Sequence, residues 1–117
     1  MAEKKALVIL AEGAEEMEAV IIVDVLRRAK ITVYLASLSD DLTTSCSRSV
    51  KIVADCPLKN VANDTFDVVV LPGGGPGANA LANSSVVGQI LRHHNTEGIT
   101  FYKVPTTSRG SILHFNC

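Results

Sequence analysis

The chain has 117 residues, 47% of them apolar and 20% charged, with a formal net charge of −1. That is the size of one domain, and a positive mean hydropathy of +0.26 excludes disorder over most of its length. No apolar run approaches the ~18 residues of a membrane span. There is no basic stripe for a phosphate backbone, and with no Trp and 4% aromatic residues there is no base-stacking platform, so neither nucleic-acid nor membrane binding is expected.

Lys4 and Lys5 precede a short apolar run, Ala6 to Ala11, which is too short for a signal-peptide core and is followed at once by Glu12, Glu15 and Glu16. A cytosolic protein is the expectation. The cysteines at 46, 56 and 117 lack CxxC spacing, so reduced thiols are expected rather than a disulfide framework or a zinc site. No metal and no cofactor is expected.

Strand and helix alternate along the chain. The continuous run Ala6-Leu7-Val8-Ile9-Leu10 suits a strand buried on both faces of a parallel sheet. A turn at Glu12-Gly13 leads into a helix over about 15–29, with acids in its first turn and Arg27 and Arg28 in its last, as the macrodipole favours. Ile31 to Ser37 is the next strand, completing a βαβ unit. Turn-forming hydroxyl residues from Thr43 to Ser49, then Val50, Ile52 and Val53, read as a hairpin carrying Cys46 on its first arm. Asp67 to Leu71 is another buried strand. It ends in Pro72-Gly73-Gly74-Gly75-Pro76-Gly77 and is followed by a helix in two pieces, with Asn83-Ser84 as a cap and Val86, Val87, Ile90 and Leu91 as the second apolar face. Ile99 to Val104 reads as a further strand, and 105–117 shows no periodicity. The domain is therefore expected over 1–104, with an irregular tail over 105–117.

This alternation is the pattern of an open, doubly wound α/β sheet, whose sites lie beyond the carboxyl ends of the strands. Three places follow: after Leu10, after Leu71 and after Val104. On a helical wheel Glu18 shares a stripe with Ile22, Val25 and Ala29. A carboxylate on an apolar stripe near a strand end can be held protonated by burial and donate a hydrogen bond; the plain alternative is a solvated helix start. Gly73 to Ala78 fits G-x-G-x-x-A, but a dinucleotide fingerprint belongs in the first βα turn, which here lacks the glycines. The same loop reads either as an oxyanion site built from backbone N–H groups or as a tight turn using positive φ. Arg48 beside Cys46 is placed to activate that thiol for redox chemistry, unless Cys46 is simply structural. His93-His94 suits an exposed helix end and finds no metal partners. No Gly-x-Ser-x-Gly or Gly-x-Cys-x-Gly elbow occurs, and Pro105-Thr106-Thr107-Ser108 offers hydroxyls without a base.

Taken together, Ala6 to Ala11, Gly13-Ala14-Glu15-Glu16-Met17-Glu18, Asp24 to Ala29, Cys46-Ser47-Arg48 and Asp67 to Gly74 resemble, in register, the DJ/ThiJ/PfpI superfamily and its protein deglycase members. The resemblance covers roughly residues 1–98. It implies a flavodoxin-like three-layer α/β sandwich and a cytosolic homodimer with nuclear and mitochondrial pools. It implies glyoxalase-type activity on methylglyoxal, repair of glycated protein and nucleotide, and roles in oxidative stress and chaperoning. It matches Glu18 to the acid that partners a reactive elbow cysteine. Gly73 and Gly74 match the backbone lining of that site, Arg28 and Arg48 match arginines near the pocket in the dimer, and Cys46 matches a second oxidisable cysteine.

The likeness stops after Gly98. Where the family runs into Ala-x-Cys-Ala-Gly-Pro, this chain reads Ile99-Thr100-Phe101-Tyr102-Lys103-Val104-Pro105. The elbow cysteine and the later elements are missing, so the sandwich is expected to be incomplete at its C-terminal side. The expectation is a truncated, catalytically impaired form, alone or paired with a full-length homologue. The alternative is a redox-sensing or chaperone-like module using Cys46.

Overall fold

The computed structural model describes residues 3–96, 100–103 and 113–114, with side chains described over 3–94. The elements are β1 (Lys5–Leu10), α1 (Glu16–Arg28), β2 (Thr32–Ser37), β3 (Thr43–Ser45), β4 (Lys51–Val53), β5 (Cys56–Pro57), a 3-10 turn (Leu58–Asn60), β6 (Val68–Leu71), α2 (Gly75–Ala82), α3 (Ser85–Thr96), β7 (Thr100–Lys103) and β8 (Leu113–His114). Six strands form one sheet in the order β5-β2-β1-β6-β7-β8, and β3 with β4 forms a separate antiparallel pair. All neighbours in the large sheet are parallel except β7 and β8. The expected doubly wound α/β architecture is the one observed.

The continuous apolar run explains why β1 is central. Ala6 to Leu10 are fully buried, which is possible only with helices on both faces. Leu7 and Ile9 pack with Phe66, Val69, Leu81, Val87 and Ile90 on the α2/α3 side. Ala6, Val8 and Leu10 pack with Ala19, Val23, Val33 and Cys46 on the α1 side. Three layers result. Each fully buried Leu or Ile contributes about 1.5–3 kcal/mol.

The face of α1 is a correction. The expected stripe was Glu18, Ile22, Val25 and Ala29, but Glu16, Ala19 and Val23 are the buried residues and Val25 is 58% exposed. A helix lying on a sheet buries the wedge centred on Ala19 and Val23, and Glu18 stands about 100° round from Ala19, on the flank.

Of the expected second apolar face, Val87 and Ile90 are buried and Leu91 packs partly against the core, while Val86 is exposed, a correction, since α3 turns that position outward; the Ser84 hydroxyl caps α3 by accepting the Val87 N–H at 3.3 Å. The short β5 and β8 carry no periodicity in the sequence and come from pairing alone.

β1 leads to β2 on one side, and the chain later returns to β6 on the other. The strand order thus switches between β1 and β6, and the crevice for a site lies beyond their carboxyl ends.

Candidate functional site

Two turns meet at that crevice: Ala11–Glu15 after β1, and Pro72–Gly74 after β6. Gly13 and Gly74 hold φ of +82° and +109°, in the region that favours glycine. Their approach is close enough that a Cβ on Gly74 would lie 2.5 Å from the Gly13 carbonyl oxygen, and one on Gly77 would lie 2.8 Å from the Ala14 nitrogen. The glycines at 74 and 77 therefore admit the first turn of the chain itself. This disposes of the dinucleotide reading, in which the same glycines would admit a pyrophosphate.

Gly73 is gripped at both of its backbone groups by the start of α1. Its N–H donates to Glu18 Oε2 at 2.8 Å, and its carbonyl accepts the Glu15 N–H at 2.8 Å. The structure thus brings together Glu18, Gly73 and Gly74. In this arrangement Glu18 Oε2 accepts, and the Gly73 N–H is engaged within the chain.

The buried acid is Glu16, which sequence reasoning missed. Only 7% exposed, its carboxylate accepts the Ser47 hydroxyl at 2.9 Å, the Arg48 N–H at 2.9 Å and the Val50 N–H at 3.3 Å. Burial pushes the Glu16 carboxyl up, but these donors and its own N–H outweigh burial and hold it below the usual carboxylate range. The available signal was its place in the first helical turn, three residues before Ala19 and seven before Val23.

Cys46 follows β3 directly and is buried, with Sγ 3.9 Å from the Thr44 carbonyl oxygen. Burial raises its thiol, and the charges of Glu16, Glu12 and Glu15 raise it further. The shifts at the Cys46 thiol run opposite to activation: burial and three carboxylates all raise it. Arg28 pairs with Asp24 at 2.6 Å in the last turn of α1, ten residues and about 15 Å along the helix from the Glu18 of its own chain.

The expectation of an exposed His93-His94 pair fails at His94, which is fully buried. Its Nε2 accepts the Phe66 N–H at 3.0 Å and its Nδ1 lies 2.7 Å from the Ile90 carbonyl oxygen. Since a backbone N–H can only donate and a carbonyl only accept, the ring is the Nδ1–H tautomer. Among the described residues no group of three or more His, Cys, Asp or Glu is arranged to hold a metal.

At the end of the sheet, Leu71 of β6 pairs in register with Lys103 of β7; the third place foreseen, after Val104, lies outside the described residues. Residues 105–108, and the tail cysteine at 117, lie outside the described residues.

The family model of the DJ-1/PfpI family matches residues 4–108. The chain is 56% identical over 95 residues to Protein dj-1beta of Drosophila melanogaster, covering 81% of this chain and 51% of that protein. It is 41% identical over 92 residues to the Glutathione-independent glyoxalase DJR-1.2 of Caenorhabditis elegans, covering 78% and 48%. The crystal structure of Drosophila melanogaster DJ-1beta superposes with a TM-score of 0.86 at 51% identity, over 88% of this chain and 55% of that one. The chain spans about half the length of the curated relatives it matches. A match of this extent, on a sheet whose turns meet at Glu18 and Gly73, makes the chain a member of the DJ-1/PfpI family.

Proposed function

We propose that the chain binds a small reactive carbonyl compound of the methylglyoxal type at the crevice between β1 and β6, and that these 117 residues do not turn it over. The observation that carries the reading is the 2.8 Å contact between Glu18 and the Gly73 N–H. It sets an acid and a backbone donor at the switch point, where α/β sheets take ligands. The naming of one relative as a glutathione-independent glyoxalase supports the substrate class.

Turnover of the glyoxalase or deglycase type needs a nucleophile. The sequence holds no elbow cysteine, and the buried Cys46 thiol, raised by burial and three carboxylates, is a poor substitute. The test is methylglyoxal consumption by the purified chain. Aldehyde is expected to disappear no faster than in buffer, while the Gly73 amide resonance shifts on titration with methylglyoxal. Loss at a catalytic rate, or an unmoved Gly73, would refute the reading.

A second observation favours association. Met17, Val20, Ile21 and Val25 on α1, with Val50 and Val53 on the hairpin, are exposed, and clustered apolar surface of this kind marks interfaces. We infer a homodimer, or pairing with a longer homologue, through this face. Analytical ultracentrifugation is expected to show a dimer that Ile21→Glu converts to monomer; a monomeric wild-type chain at tens of micromolar would exclude the homodimer.

A further inference from the structure

We propose that Glu16 is the positioning residue of the crevice: by clasping the hairpin turn it fixes the first turn of α1, and with it the Glu18 carboxylate on the Gly73 N–H. This rests on the reading of Glu18 and Gly73 as the binding element and adds the part that holds them.

The geometry is a chain of short links across distant sequence. Glu16 is buried, and its two oxygens reach Ser47 Oγ at 2.9 Å, Arg48 N–H at 2.9 Å and Val50 N–H at 3.3 Å, partners 31 to 34 residues away. The same turn is tied to the chain just before α1: Ser47 N–H donates to the Ala14 carbonyl at 2.8 Å, and Gly13 N–H donates to the Ser45 carbonyl at 2.9 Å. The Gly13–Ala14 segment so held is the one against which Gly74 and Gly77 have no room for a Cβ. Glu15, the next residue, donates its N–H to the Gly73 carbonyl. Glu16 therefore braces the first turn from the hairpin side, and Gly73 closes it from the other.

Glu15 at the cap position makes no side-chain hydrogen bond to the helix backbone; its carboxylate shares the Ser47 hydroxyl at 3.0 Å and Glu12 accepts the Ser45 N–H at 3.2 Å, but among these acids only Glu16 takes the Arg48 and Val50 N–H groups of the hairpin turn. Hydrogen bonds to a charged acceptor are about twice as strong as neutral ones. Replacing the carboxylate by an amide turns one acceptor oxygen into a donor facing N–H groups and removes the charge, so Glu16→Gln breaks half of the clasp while keeping its shape.

The experiment is amide hydrogen exchange on the full chain by NMR. In Glu16→Gln the Gly73 amide is expected to exchange about tenfold faster or more, as loss of a charge-assisted hydrogen bond implies. Leu7 and Val69, at the centre of the sheet, are expected to keep their rates. A Gly73 rate unchanged in a folded Glu16→Gln chain would overturn the proposal. So would a rate raised equally at Gly73, Leu7 and Val69, because that is the signature of general destabilisation. If Glu16→Gln does not fold, Ser47→Ala decides. It removes the hydroxyl shared by Glu16 and Glu15, so it is read beside Glu15→Gln, which leaves the Glu16 clasp in place; a smaller acceleration at Gly73 alone, exceeding that in Glu15→Gln, is expected, and no such acceleration overturns the proposal. Glu18→Ala separates the two readings: if Gly73 exchange does not respond to it, the Glu18–Gly73 contact fails, whatever Glu16 does.

Discussion

Replacing Gly77 by alanine tests the meeting of the two turns. Gly77 lies in α2 without a positive φ, so on helix propensity alone alanine would stabilise by about 0.5–1 kcal/mol. The surroundings oppose this. The new Cβ would fall 2.8 Å from the Ala14 nitrogen and 2.9 Å from its Cα, backbone atoms that cannot rotate aside. Ordinary contact begins near 3.4 Å, so the start of α2 must retreat by about 0.6 Å from the first turn. Overpacking of this kind costs about 1–3 kcal/mol, which after the helix gain leaves a net loss of about 1 kcal/mol at mid-range and at most about 2.5 kcal/mol. In a domain of this size that lowers the melting temperature by about 3–10 °C. Gly75→Ala is the internal control, since a Cβ there meets nothing within 4 Å; it is expected to be neutral or slightly stabilising. Thermal unfolding followed by circular dichroism reads both. A Gly77→Ala chain as stable as wild type, or more so, would show that the turns are free to part and that Gly77 does not set their spacing.

Three further outcomes follow from the same contacts. Because the folded chain holds the Glu16 carboxyl below the ordinary glutamate value of 4.5, Glu16 contributes stability that is complete above about that pH and is lost as the pH falls through the lowered value; urea midpoints measured below pH 5 should fall less steeply in Glu16→Gln than in wild type. Burial and the charges of Glu16, Glu12 and Glu15 raise the Cys46 thiol, so iodoacetamide at pH 8 should label it far more slowly in the native chain than in urea, and equal rates would contradict the acidic environment. His94→Phe keeps the ring but leaves the Phe66 N–H buried without its acceptor, and should cost about 1–3 kcal/mol in urea unfolding; an unchanged midpoint would refute the bond.

Much of the architecture is readable from the sequence, for a physical reason. A strand covered on both faces has no polar alternation, and Ala6 to Leu10 and Val68 to Leu71 are such runs. The Gly-Gly-Gly-Pro segment that ends one of them marks a strand end. What escapes are elements whose existence depends on a partner. Cys56–Pro57 is a strand only because it pairs with Ala36 and Ser37, and Leu113–His114 only because it pairs with Tyr102 and Lys103. The rotation of α1 escapes for a related reason. Both candidate stripes contain a glutamate and small or β-branched residues, and what chooses between them is the sheet to which the helix is tied.

The site shows the same division at the level of single groups. That Glu18 stands beside the Gly73 turn follows from strand ends and family pattern. What each group does there depends on which hydrogen bonds are already made, and that is a property of the assembled turns. Gly73 has its N–H held by Glu18 and its carbonyl by Glu15, so a donor that the sequence offers to a ligand is, in the folded chain, a donor that a ligand must take from Glu18. A carbonyl compound entering the crevice gains the Gly73 N–H only by displacing a carboxylate oxygen, which is the stronger acceptor. Binding is therefore expected to be weak and to strengthen in Glu18→Ala, where the donor is released. If instead Glu18→Ala weakens methylglyoxal binding, measured by the shift of the Gly73 amide on titration, Glu18 contacts the ligand itself and is no competitor for the donor.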